Sequence, residues 1–145
     1  MKIFEMIDKK FEFDVTKQNI EFLYNIIGEL SKEFSFYVRE QVFEEYRQIN
    51  HPQLPSRQKC LWITDADQIL YWQTMEQNKL RSLLTLELDG ELFCADERWL
   101  VADTFSNVEY WKRAKHYWGG EMTPFPVKEY LFCGTVIIKE IQNFT

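Results

Sequence analysis

Apolar residues recur at helical spacing from Lys17 to Leu30, where Ile20, Leu23, Tyr24, Ile27 and Leu30 share one face. A similar stripe through Phe36, Val42, Phe43, Tyr46 and Ile49 predicts a second helix from about Lys32 to Gln48. Its expected exposed positions are Arg39, Glu40, Glu44, Glu45 and Arg47. There Glu40 and Glu44 repel at a spacing of four, whereas Glu44 and Arg47 attract. His51-Pro52 and Leu54-Pro55 end the helix, because proline lacks the amide proton and constrains the residue before it.

Beyond the prolines the pattern shortens to strand length. Cys60 to Thr64 reads as a strand, with Asp65 as cap for a helix from about Ala66 to Asn78. In LLTLELDGELFCAD two strand-like runs flank Asp89-Gly90, which suits a type I′ turn, so a hairpin is expected. A further helix from about Val108 to Trp118 carries Tyr110-Trp111 and Tyr117-Trp118 on one face, one ring of each pair inward and one at the rim. Gly119-Gly120 stops it. Pro124 and Pro126 mark a loop, and Tyr130 to Ile141 forms the last strands, with a bend at Gly134. At the other end KIFEMI reads as a short strand and Phe11 to Val15 as a second extended piece, with Asp14 or Thr16 as a cap. A helical N-terminal half followed by a strand-rich C-terminal half is an α+β pattern. No repeat or linker divides residues 1–145, so one domain is expected.

Composition narrows the classes of function. The chain is 46% hydrophobic and 17% aromatic, with twelve Phe and five Trp to fill a core. A formal charge of −6 disfavours nucleic acid as a partner, since phosphates are repelled on average. Cys60, Cys94 and Cys133 are odd in number and lie in apolar runs, which reads as buried reduced thiols. No leader or membrane-length apolar run is evident, so a cytoplasmic protein without membrane contact is expected. His51 and His116 are far apart and no HExxH or CxxC occurs, so no metal is expected. Neither a phosphate-cradling glycine loop nor a Cys–His pair is evident.

Three features carry candidate chemistry. Ser56 and Arg57 stand between a proline and a strand, where a rigid arginine can grip phosphate or carboxylate in bidentate fashion. The alternative is a structural salt bridge to Glu44 or Glu129. Tyr71-Trp72 places aromatic rings just after that strand, either for core packing or for stacking on a base. Glu129 opens the last apolar stretch, where a carboxylate can stabilise positive charge on a ribose or simply face solvent.

The segments FEEYRQINHPQLPSRQKCLW, AKHYWGG and EYLFCGTVIIKE, with LLTLELDGELFCAD between them, resemble a small uncharacterised bacterial and phage family with an ADP-ribosyltransferase-like fold. The resemblance spans most of the chain through short motifs. It implies a split β-sheet around a cleft that binds NAD as substrate and transfers ADP-ribose to an acceptor, a protein among the candidates. Carried over, Glu129 takes the place of the late glutamate, Ser56 and Arg57 that of the second motif, and Tyr71 lies near the nicotinamide. At the first strand the sequence departs: Glu5 stands where His or Arg is expected, with Arg39 as a substitute. The rival reading is a non-catalytic module binding a nucleotide or a protein through the same cleft.

Overall fold

The structure is a computed structural model describing residues 17–75, 82–101 and 106–143. The expected strand KIFEMI with Glu5, and the extended piece Phe11 to Val15, lie outside the described residues. Helix α1 spans Lys17–Asn50 without interruption. The two predicted helices are therefore one. The junction Leu30–Lys32 has no proline, and the weakest helix former near it is Gly28. Among the described residues, α1 is packed through its second half. Val42, Phe43 and Tyr46 are buried, whereas Tyr24, Ile27 and Phe34 of the first half are exposed. Glu44 and Arg47, expected on the solvent side, are buried as well.

After the proline loop, β1 (Leu61–Ile63) leads into a 3-10 turn over Ala66–Gln68 and helix α2 (Ile69–Met75). Asp65 caps the turn as predicted, its side chain accepting from the Gln68 amide. Strand β2 runs from Ser82 to Asp96 and ends in a 3-10 turn, Glu97–Leu100. Helix α3 (Asn107–Trp118) is capped by Ser106 and closed by Gly119 and Gly120, the latter at φ 69°. Strand β3 (Lys128–Asn143) completes one antiparallel sheet in the order β1-β3-β2. The described chain is thus α+β, helical first and strand-rich later.

The expected hairpin at Asp89-Gly90 does not form. Both residues continue a 15-residue strand, and Gly90 faces Gly134 across the ladder. A type I′ turn needs positive φ at both central residues. Among the described residues no side-chain-bearing residue has positive φ, and Gly90 is near-extended at 155°. The bend expected at Gly134 is likewise absent, since β3 runs through it. The two glycines allow the strands to approach closely, because a Cβ on Gly90 would collide with the Cys133 carbonyl and one on Gly134 with that of Asp89.

The core lies where α1 and α3 meet one face of the sheet. Phe43, Tyr117, Trp118, Leu131 and Ala95 are its most buried members. Phe43 meets the edge of Tyr117 at 5.5 Å, Phe93 stacks on Trp118 at 5.5 Å, and the Trp118 indole donates to the Phe43 carbonyl at 2.8 Å. Tyr117 and Trp118 are both buried, so neither sits at the rim as expected; Trp111 is half-buried beside Tyr46. The cysteines are free, but none is fully buried as expected: Cys60 and Cys94 are half-buried, and Cys133 is exposed on the part of β3 that extends beyond the core.

Candidate functional site

Arg57 reaches the core through a loop that α1 holds in place. Arg47 grips Glu44 in bidentate fashion at 2.7 and 3.1 Å and donates to the Leu54 and Pro52 carbonyls at 2.9 and 3.2 Å. Ser56 donates to the same Glu44 carboxylate at 3.0 Å. Burial pushes the Glu44 pKa up, but the hydrogen bonds from Arg47, Gln48 and Ser56 outweigh it and leave it below the usual carboxylate value. These bonds fix Pro52 to Ser56 and turn the next side chain, Arg57, inward.

The Arg57 guanidinium is 3% exposed and pairs with the Glu129 carboxylate, itself 4% exposed. It also donates to the Tyr117 hydroxyl at 2.6 Å and to Glu40 on α1 at 3.2 Å. Tyr117 in turn donates to Glu129 at 2.5 Å. The guanidinium lies over the rings of Trp62 at 4.6 Å and Tyr117 at 5.1 Å, within cation–π range. Burial disfavours the charge on Arg57, yet Tyr117, Glu129 and Glu40 more than offset it, and its pKa is raised. Burial likewise drives the Tyr117 phenol well above its ordinary value.

Glu129 owes its place to the sheet. It pairs with Ala95 in the β2–β3 ladder and faces the helices together with Leu131, which pairs with Trp62 of β1. The end of the ladder is secured by Asp96, which is fully buried. Its carboxylate accepts from the Val127, Thr123 and Arg98 amides at 2.9, 2.8 and 3.0 Å and from the Thr123 hydroxyl at 2.6 Å. Burial raises the Asp96 pKa, but the Thr123, Arg98 and Val127 donors prevail and it is lowered overall. Asp96 therefore ties the turn carrying Glu97 to the loop leading into Glu129.

Tyr71 is bonded to a different carboxylate from the one that holds Arg57. Its hydroxyl donates at 3.2 Å to Glu97, a half-buried carboxylate whose pKa is raised by burial and by the charge of Glu129. Beside it, 5.2 Å away, lies Trp72, whose buried indole nitrogen has no hydrogen-bond partner among the described residues. Arg39, the expected substitute for a first-strand basic residue, sits on α1, bonded to Glu40 and the Leu100 carbonyl.

The structure thus joins Arg57 to Glu129 directly, leaves Ser56 one helical turn away on Glu44, and places Tyr71 on Glu97. Tyr117, Glu40 and Glu97 were not legible as site residues. Tyr117 belongs to a pair that reads as core, and Glu97 follows a strand in ADERWL without any periodic signal. Among the described residues no group of three or more His, Cys, Asp or Glu is placed to hold a metal ion, and no helix is long and apolar enough to cross a membrane. No curated protein matches the chain. A family model matches residues 2–144, and it makes the chain a member of the family described as protein of unknown function (DUF2441).

Proposed function

We propose that the chain is an ADP-ribosyltransferase-like domain that cleaves the nicotinamide–ribose bond of NAD and passes ADP-ribose to an acceptor. The observation that carries this reading is the meeting of Arg57 and Glu129, 72 positions apart, in one cluster floored by Tyr117 and edged by the exposed ring of Trp62. In that reading a phosphate of NAD takes over the Arg57 guanidinium, and Glu129, released from its partner, faces the ribose. Its carboxylate stabilises the positive charge that grows on C1′ as nicotinamide departs. Tyr71 stacks near the nicotinamide. The Trp72 indole, without a partner among the described residues, gives further support, since a buried donor without an acceptor is costly and a ligand can supply one.

A second reading, a non-catalytic module binding a nucleotide or a protein, is favoured by the burial of the Arg57–Glu129 pair, which is satisfied without any ligand. Thermal shift with NAD, ADP-ribose and nicotinamide tests both. A ligand at a hundred times its dissociation constant adds about 2.7 kcal/mol, a shift of several degrees. A shift with NAD together with nicotinamide release that Glu129→Gln abolishes supports the enzyme. A shift without release supports the binding module. Silence from all three ligands removes the NAD reading.

A further inference from the structure

We propose that the first half of α1 pairs with its counterpart in a second copy of this chain, as a parallel two-stranded coiled coil. The proposal stands apart from the reading of the Arg57 site and holds or fails without it.

Residues 20–37 keep a seven-residue register. Ile20, Ile27 and Phe34 take position a, and Leu23, Leu30 and Tyr37 take position d. All six lie on one uninterrupted helix, and each is between 39% and 66% exposed. Val42, Phe43 and Tyr46, which α1 buries in the core, fall at b, c and f of the same register, the positions farthest from a and d. α1 therefore carries two apolar faces on opposite sides. One is packed into the core, and the other points away from it.

An outward apolar face of this length calls for a cover. Helices owe most of their stability to a packed apolar face, and a contiguous exposed patch above a few hundred Å² marks an interaction surface. The seam runs for about 27 Å along the helix. Covering its six side chains would remove roughly 600 Å² per copy, or about 1,200 Å² in total, which reaches the lower bound of stable specific interfaces.

The register selects a second copy as that cover. A two-fold axis along α1 sets each a residue against the same residue of the other copy, and each d likewise, as a self-complementary interface requires. The first two a–d pairs are Ile-Leu, the combination that favours two parallel strands. Because the core lies on the far side of α1, the two bodies face outward and leave the seam clear. Charge does not oppose the pairing, although each chain carries a formal −6. Between Ile20 and Tyr37 the flanking e and g positions are Tyr24, Ile26, Ser31 and Glu33, so each copy brings one charge. In a parallel pair Glu33 meets Val38 of the second copy rather than a like charge.

Analytical ultracentrifugation of the full chain, from about 1 to about 100 μM, tests the pairing. The unsubstituted protein should reach twice the 17.6 kDa monomer mass within that range. Ile27→Glu combined with Leu30→Glu should stay at the monomer mass throughout, with the near-ultraviolet dichroism of the aromatic core unchanged. Cys133 is exposed, so orientation is read in a Cys133→Ser background. There Ile20→Cys should link two copies on mild oxidation, since parallel pairing sets the two position-20 side chains together, whereas antiparallel pairing parts them by about 25 Å. Should the double variant lose its fold, that link decides. An unsubstituted chain that is monomeric at every concentration overturns the proposal, and slow amide exchange along its residues 20–37 would point to the chain's own residues 1–16 as the cover. A dimer that survives Ile27→Glu with Leu30→Glu also overturns it, and moves the contact to the far end of β2 and β3, where Leu84, Ile138 and Ile141 are exposed. A dimer that Ile20→Cys fails to link overturns the parallel seam.

Discussion

Arg57 draws its partners from α1, β1, α3 and β3, so one side chain links every layer of the described fold. Removing one member of such a buried pair strands the other's charge, which typically costs about 3–5 kcal/mol. Arg57→Met should therefore lower the melting temperature by roughly 10 °C for a chain of this size. Arg57→Met combined with Glu129→Leu should recover part of that loss, because no unpaired charge remains, while any NAD-dependent activity stays absent. Thermal unfolding of both single variants and the double variant checks this; a double variant no more stable than the weaker single would show that the pair's charges are not coupled. This contact was legible beforehand because both residues stand at strand entrances beside prolines, where side chains are rigidly aimed. Tyr117 was not, since an aromatic in a Tyr-Trp pair carries the same pattern whether it fills the core or hydrogen-bonds a carboxylate within it.

Elements were legible wherever local preference and tertiary partner agree, as at the Asp65 cap and the Gly119-Gly120 stop. They were misread where a long-range partner overrides a local signal. Asp89-Gly90 is a strong turn signal over a few residues. It loses to a 15-residue ladder in which Gly134 stands opposite Gly90 to accept the close approach. Gly134→Ala should therefore be disruptive, costing about 1–3 kcal/mol, because its methyl group would meet the Asp89 carbonyl rather than open space. Equal stability of Gly134→Ala would mean that the strands separate there. Gly28 makes the opposite case. It sits within α1 with nothing among the described residues within 4 Å of its would-be Cβ, so Gly28→Ala should stabilise the chain by about 0.5–1 kcal/mol. A loss of stability on that substitution, measured by denaturant unfolding, would restore the break between two helices that periodicity suggested.

For the molecule as a whole, the balance of buried carboxylates decides the response to acid. Asp96 and Glu44 have lowered pKa values, so each adds stability above its unfolded value of about 4, and that contribution is lost as pH falls through the folded value. Glu97 works in the other direction. Its pKa is raised, so folding is penalised once pH climbs past the ordinary glutamate value, and the penalty disappears below it. Asp96 should dominate, because it is fully buried and is hydrogen-bonded by Thr123, Val127 and Arg98. At neutral pH Asp96→Asn should cost about 2–4 kcal/mol, since an amide cannot accept every bond the carboxylate does and turns a donor toward donors. The gap from the unsubstituted protein should narrow as pH drops below about 4, where the aspartate itself becomes protonated. Glu97→Gln should instead gain stability at neutral pH and lose that advantage in acid. Melting temperatures of the three proteins from neutral pH down to about pH 3 separate these cases. An Asp96→Asn curve parallel to that of the unsubstituted protein throughout would mean that the Asp96 proton is not coupled to folding, and the clasp between the Glu97 turn and the strand bearing Glu129 would then have to rest on backbone bonds alone.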